Sequence, residues 1–344
     1  MLLVLACLLG SSPAARADSR LGYLARLGIG QAQLLLSRQR ITPELLATLD
    51  PAEQRSIERL RAALAFGESL GLARTTSYRD LVGERESGLV HVVTAAPANQ
   101  VEALTWWFPI TGSVSYRGYF QKERAEAFAA ELAAEDYDTY VRPAPMYSTL
   151  GWFDDPVPRA VLAWPEVELV DTFLHELVHQ TVFVAGDIGY DEALASFVAH
   201  HATLEFFADE PELRARAEAG FADELLFAAL LDQLRAALEP IYAGEPTAER
   251  ARELRAPVFA RFQGEVYAAT PWRSRRYARF PTLALSNAWL AAHHTYVAEL
   301  PCFEAELASL GGDLRAFVRA HVADPGHRFG ACLASEGVAR ASEP

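Results

Sequence analysis

Two histidines and a glutamate in the middle of the chain have the spacing of a metal-dependent hydrolase. His175, Glu176 and His179 form the pattern His-Glu-x-x-His inside a proline-free run that is typical of a helix. Residues four apart lie one turn above each other on a helix, so both imidazoles can contact one cation. Glu176 points slightly round the helix and can activate a water molecule without being a ligand. The pattern therefore predicts a site for one zinc ion.

A catalytic zinc ion generally takes three protein ligands and keeps a further position for water, so a third donor is required nearby. We predict that Glu192 is this ligand, because the loop after Gly186 lets the chain reverse and the next helix can present Glu192 to both histidines. Asp187 is the runner-up, since it is closer in sequence but falls in the turn. Weaker candidates are Glu205, His200 and His201.

Six short blocks spread over residues 23–317 carry a more specific signal. They are 30–34, 107–110, 116–120, 147–156, the His-Glu-Leu-Val-His block and 191–193. Together they resemble the bacterial putative aminopeptidases of the zincin class. The resemblance implies a glutamate as third zinc ligand, as in gluzincins, where an asparagine often precedes that glutamate. Asp191 stands at that place here.

Peptide hydrolysis is the chemistry that these residues favour, with Glu176 taking a proton from the attacking water and passing it to the leaving amine. The developing oxyanion also needs a donor. Tyr296 is the first candidate, because it ends a further block, 287–296, that resembles the family. Tyr147, Tyr116 and Arg117 follow, and we also assign these three to substrate binding.

An exopeptidase must in addition recognise a free amino terminus. Asp154 or Asp155 can supply the carboxylate for this, although a rigid turn held by Pro156 explains the same loop equally well. If the strand near Tyr116 instead binds extended peptides by edge pairing, the enzyme would be an endopeptidase. The sequence leaves both alternatives open.

The elements around these residues indicate an α+β, mainly helical fold, and the family resemblance implies that it is of the zincin-like type. β-branched and aromatic residues in 87–149 predict a small mixed sheet with a helix at 121–135, preceding the active-site helix. Helical patterns occupy the rest, with a hairpin over 209–262 and a helical C-terminal part. Because we find no internal repeat, low-complexity tract or long linker, we expect one peptidase domain over 18–344. The predicted helical regions are 21–72, with helix starts at Pro43 and Pro51, then 166–184, 191–207, 209–262, and 283–322 with a turn at Gly311-Gly312.

Composition and the chain start bear on location and partners. Asp and Glu outnumber Lys and Arg by 45 to 31, and a net charge of −14 disfavours nucleic acid. Residues 1–17 resemble a secretory signal that lacks its positive start, and Cys7 is an alternative site for a lipid anchor. We therefore expect a protein of the periplasm or cell envelope that acts on a peptide or protein, with membrane contact only through such an anchor. Cys302 and Cys332 can pair in that oxidising compartment.

The His-Glu-x-x-His pattern also occurs in proteins that are not peptidases. One alternative is a zinc-holding envelope assembly or binding protein without turnover, although a structural site is usually closed by four ligands and has no use for Glu176. A second alternative is a buried amphipathic helix that matches the pattern by chance.

Overall fold

The computed structural model describes five segments of the chain, which are residues 20–83, 90–108, 112–144, 154–293 and 300–327. Helices form most of this part, and three small sheets form the rest of its regular structure. The protein is mainly helical and of the α+β class, which confirms that prediction. The segment 1–17, including Cys7, lies outside the described residues. In the described part, no helix combines the length and the apolar character that a membrane span requires.

Three helices open the described chain, namely α1 Arg20–Ser37, α2 Pro43–Thr48 and α3 Pro51–Leu70. A capping box starts α3: the carboxylate of Asp50 accepts from the first backbone amides, and Glu53 accepts from the amide of Asp50. Gly71 ends α3 in the left-handed conformation, with a φ of 101°, which glycine adopts without a Cβ clash. α3 then lies against the helix that carries the two histidines.

The strands do not form the single mixed sheet that the sequence predicts. β3 lies between β6 and β7 in an antiparallel sheet, β4 and β5 form a separate hairpin, and β1, β2 and β8 form a small mixed sheet. Helix α4, Lys122–Ala134, connects β6 to β7 and packs on β3. The strands are β1 Gln39–Arg40, β2 Asp80–Val82, β3 Val90–Pro97, β4 Trp106–Phe108, β5 Gly112–Val114, β6 Arg117–Tyr119, β7 Tyr137–Ala144 and β8 Val157–Pro158.

Helices α5, Glu166–His179, and α6, Ile188–Phe206, form the antiparallel pair that carries the candidate zinc ligands. α5 ends five residues before the predicted position, because Thr181 fixes a turn there. Its hydroxyl donates to the carbonyl of Leu177 at 2.6 Å and accepts from the amide of Ala73 at 2.9 Å. The apolar side of α5 and most of α6 lie in the largest hydrophobic cluster. The two helices are therefore held firmly against each other.

The C-terminal half is helical, as predicted. Where the sequence indicates a hairpin, two helices meet at residues 244–246, and Glu245 adopts a positive φ of 47°. Gly311 and Gly312, both at positive φ, form the predicted turn between the last two helices. Cys302 is disulfide-bonded, and its predicted partner, Cys332, lies outside the described residues. The helices are α7 Pro211–Tyr242, α8 Ala248–Arg261, α9 Tyr267–Ala269, α10 Asn287–His293, α11 Leu300–Ser309 and α12 Leu314–Ala323.

Candidate metal centre

The structure brings His175, His179 and Glu192 together. The Nε2 atoms of the two histidines are 3.0 Å apart, and one oxygen of Glu192 lies 3.3 Å from Nε2 of His175 and 3.6 Å from Nε2 of His179. Each residue offers one donor atom, and these three atoms all lie within 4.8 Å of one another. Two imidazole nitrogens and a carboxylate oxygen are donors that zinc accepts. The donor set therefore fits a single divalent cation.

The periodicity of α5 explains why both imidazoles face α6. Leu174, Leu177 and Val178 are buried in the core, and the adjoining stripe carries Asp171, His175 and His179 at intervals of four residues. On α6 the same interval separates Glu192, Ser196 and His200. The interface between the two helices is thus polar along one stripe and apolar along the other.

Neighbouring side chains hold the loop and the first imidazole in place. Ser196 Oγ lies 3.5 Å from Nδ1 of His175, which is the ring nitrogen that faces away from the candidate metal position. Asp191 accepts from the backbone amide of Val184 at 2.8 Å and so fixes the loop before α6. Asp187 caps α6 by accepting from the amide of Tyr190. Asp187, the runner-up candidate for the third ligand, therefore caps a helix.

The pKa values of the two glutamates beside the imidazoles, Glu176 and Glu192, are shifted in opposite directions. Burial raises the pKa of Glu176, and the charges of His175 and His179 offset this only in part. Burial also acts to raise the pKa of Glu192, but hydrogen bonds with both histidines outweigh it and lower that pKa. Glu192 consequently stays a carboxylate, and Glu176 is a stronger base than an ordinary glutamate.

Two tyrosines lie near Glu176. Burial raises the pKa of Tyr116, and Glu192 and Glu176 raise it further, which places the phenol close to both carboxylates. Tyr116 has many neighbouring atoms, yet 41 % of the residue is exposed to solvent. The hydroxyl of Tyr78 accepts from Gln180 Nε2 at 3.1 Å, and its pKa is raised by burial and then by Glu176. Both phenols stay protonated and can donate.

One family comparison matches almost the whole of this architecture. The family described as "putative aminopeptidase" matches residues 22–323. The chain belongs to this family. No curated protein and no solved structure matches the chain. The match runs from the third residue of α1 to the end of α12 and includes both helices of the candidate metal centre.

In this member of the putative aminopeptidase family, Arg117 has a packing role rather than the predicted contact with substrate. Its guanidinium lies 3.9 Å from the ring centre of Tyr23 and 4.4 Å from that of Phe128, and the residue is buried. These ring contacts account for the burial of Arg117, whereas Tyr116, just before β6, is 41 % exposed. Arg117 therefore belongs to the cluster between α1, α4 and the sheet.

Asp154 and Asp155 are tied to the residues before β2. The carboxylate of Asp154 accepts from the hydroxyl of Thr76, and the backbone of Asp155 bonds to Ser77 and Tyr78. Asp155 is only 2 % exposed. These contacts support the rigid-turn interpretation more than an exposed carboxylate for a peptide amino terminus. Tyr147 and Tyr296 lie outside the described residues.

The weaker ligand candidates of this aminopeptidase family member do not join the metal centre. Glu205 is exposed, and His201 pairs with Glu304 at 3.1 Å. His200 lies between two carboxylates: Nδ1 is 2.6 Å from Asp171 and Nε2 is 3.2 Å from Glu224. The sequence does not indicate this second cluster or the position of Tyr78. Asp171 has the correct spacing on α5 for such a contact, but Glu224 and Tyr78 arrive from distant segments.

Proposed function

We propose that this protein is a zinc-dependent peptidase of the aminopeptidase type, with His175, His179 and Glu192 as the metal ligands. The observation that supports this most directly is the convergence of their three donor atoms within 4.8 Å. Among the described residues no other group of histidine, cysteine and carboxylate side chains converges in this way. Three protein ligands leave a coordination position open, which favours a catalytic site over a structural one.

A zinc ion supplies Lewis acidity in such sites, where it polarises the peptide carbonyl and lowers the pKa of water to about 7. Glu176 is the general base in this proposal, because burial raises its pKa and it lies beside both ligand histidines. It accepts a proton from the attacking water and returns it to the leaving amine. A zincin-like fold of the gluzincin type, with glutamate as third ligand, is part of the same proposal.

Tyr116 is the donor that we assign to the developing oxyanion. Its raised pKa keeps the phenol protonated, and the effect of Glu192 and Glu176 on that pKa indicates that both carboxylates are close. A preorganised donor stabilises charge that develops in the transition state. Tyr296 and Tyr147 stay predictions for catalysis and substrate binding, since neither is among the described residues.

The proposed substrate is a peptide or protein in the periplasm or cell envelope. The apolar run and the Ala-x-Ala pattern of residues 1–17 support that location. The family description supports removal of amino-terminal residues.

Metal analysis combined with peptide hydrolysis tests the proposal. We expect about one zinc per chain, hydrolysis that a chelator abolishes and added zinc restores, and cleavage of free peptides but not of the same peptides with a blocked amino terminus. Cleavage of the blocked peptides would replace the aminopeptidase assignment with an endopeptidase. Protein without zinc, or hydrolysis that resists chelation, would refute the metal-dependent mechanism.

A further inference from the structure

A cavity of about 660 Å³ lies on the same two helices as the candidate metal centre, and Asp171 of its wall precedes His175 by one helical turn. Its walls are the first two turns of α5, one turn of α6, the first part of α7 and the loop 273–276. Asp171 and His200 form its inner wall, and Phe221 covers His200 with ring centres 4.7 Å apart. The volume is sufficient for part of a short peptide.

Arginines dominate the charge of this cavity. Arg216, Arg273, Arg275 and Arg276 line it, although the protein as a whole carries a net charge of −14. Arg276 pairs with Glu224 at 3.3 Å, and the charge of Arg273 contributes to lowering the pKa of Asp223. Among the described residues, no carboxylate lies within ion-pair distance of Arg216 or Arg275. The cavity therefore has guanidinium groups available for an anionic ligand.

The acidic residues of the same cavity are largely occupied by other partners. Glu166 pairs with Arg59 at 2.8 Å, and Asp171 pairs with His200 at 2.6 Å. Glu168 is exposed at the edge and is the remaining carboxylate of the wall. The side that faces α7 and the loop 273–276 is consequently positive.

A buried carboxylate fixes the backbone of the loop that carries three of the arginines. Asp223 is fully buried and accepts three hydrogen bonds, from the amide of Arg273 at 2.6 Å, from the amide of Ser274 at 2.7 Å and from the hydroxyl of Ser274 at 2.6 Å. A carboxylate buried under a loop in this way holds the backbone in one conformation. The backbone that carries the arginines is thus fixed, which limits the positions that their exposed side chains can reach.

The distance to the metal centre can be expressed in peptide residues. Asp171 in the cavity wall is one helical turn before His175, or roughly 6 Å along the axis of α5. An extended peptide advances about 3.3–3.6 Å per residue. A peptide that extends from the metal ligands into the cavity must therefore span at least about two residues.

We propose that the cavity binds the C-terminal carboxylate of a short peptide, so that tripeptides and tetrapeptides with a free carboxyl end are the preferred substrates. Arginine recognises carboxylates through paired, charge-assisted hydrogen bonds, which a peptide amide does not provide. The inference rests on the proposed peptidase function and adds a substrate class to it.

Calorimetric binding to the full-length Glu176→Gln protein tests this without turnover. Tetra-alanine with a free carboxyl end is expected to bind at least about tenfold more tightly than its C-terminal amide. The added replacements Arg273→Ala and Arg275→Ala should remove that preference, whereas Arg279→Ala should retain it. Arg279 is the matched control because it follows the same loop without lining the cavity. Circular dichroism and melting temperature confirm that each variant is folded.

Three results would overturn the inference. They are equal binding of acid and amide, no binding of either at millimolar concentration, and unchanged preference in the arginine variants. A tetrapeptide amide with a glutamate at its last position separates the two sources of a carboxylate: equal affinity for it and the free acid would assign the cavity to acidic side chains instead. Failure of the proposed function has a different signature, namely wild-type protein that binds no zinc or hydrolyses no peptide.

Discussion

Two clusters that contain histidine share helices α5 and α6 and consist of the same residue types, histidine and acidic residues. In the candidate metal centre, two imidazoles of α5 converge on one carboxylate, with their Nε2 atoms 3.0 Å apart. One turn away, the single imidazole of His200 lies between the carboxylates of Asp171 and Glu224. The clusters differ in the ratio of imidazoles to carboxylates.

That ratio determines what each cluster can hold. Burial acts to lower the pKa of His200, but its two carboxylate partners outweigh this and raise it to about 10. His200 is therefore itself the cation of its cluster. His175 and His179 share only Glu192, so two imidazole nitrogens and one carboxylate oxygen converge as donors for a metal ion. Neighbouring sites of similar composition thus have different chemistry.

The largest expected effect is a loss of bound zinc, which should occur when the first cluster is changed but not when the second is. His175→Ala should lose bound zinc together with hydrolysis, because it removes one of three ligands. His200→Gln should keep about one zinc per chain, because its ring contacts carboxylates outside the ligand set. Metal analysis after dialysis measures both. Zinc loss in the His200 variant equal to that in the His175 variant would show that the clusters act as one site.

Glu176→Gln should reduce kcat by about 10²–10⁴-fold, because the amide cannot accept the proton of the attacking water. Zinc content should be unchanged, since Glu176 is not a proposed ligand. Steady-state kinetics and metal analysis on the same preparation measure the two quantities. Glu205→Gln, an exposed position on α6, is the matched control and should have normal kcat. Full activity in the Glu176 variant would exclude it as the base.

The charge of His200 predicts a pH-dependent stability. Its pKa is about 10 in the folded protein and about 6.5 in the unfolded chain, so the stabilisation is complete below pH 6.5 and is lost as the pH rises towards 10. In the presence of a chelator, wild type should exceed His200→Gln by a few kcal/mol near pH 6, and this advantage should shrink towards pH 10. Denaturant unfolding at several pH values measures it. A constant difference over this range would contradict a charged His200.

The contrast between the clusters also shows which contacts can be predicted from the sequence and which cannot. The contacts of the metal centre follow from local spacing in the sequence. His175 and His179 are four residues apart, and Glu192 follows after one short reversal of the chain. Helix periodicity is sufficient to predict such contacts. The pairing of His200 with Glu224 requires α7 to pack across α5 and α6, and no spacing between the two residues indicates this.

The sheets show the same limit. β3 and β7 have eight residues each and are recognisable from their β-branched and aromatic residues. β1 and β8 have two residues each, which is too short for an alternating pattern, so the sequence does not predict the mixed sheet of β1, β2 and β8. Tyr78 is likewise positioned by tertiary contacts, because Gln180 and Glu176 reach it from α5 and the turn that follows.

Tyr116→Phe should lower kcat by about 10²-fold while leaving KM and zinc content unchanged, because the lost hydroxyl acts in the transition state. Tyr78→Phe is the matched control. Tyr78 is buried near Glu176, but its hydroxyl already bonds to Gln180, so a smaller loss of kcat is expected. Equal losses in both variants, or a change confined to KM, would assign Tyr116 to packing or substrate binding instead.

The smallest effect concerns the ring orientation of His175. Ser196→Ala removes the hydroxyl that lies 3.5 Å from Nδ1 of His175 and should weaken zinc binding by less than about tenfold, because this contact is long. Competition with a chromophoric chelator measures the affinity, and Ser69→Ala, on the exposed side of α3, is the control. His200 has a carboxylate at 2.6 Å in the corresponding position, whereas His175 has only a distant hydroxyl. A loss as large as that of His175→Ala would mean that Ser196, and not the backbone of α5, positions the imidazole.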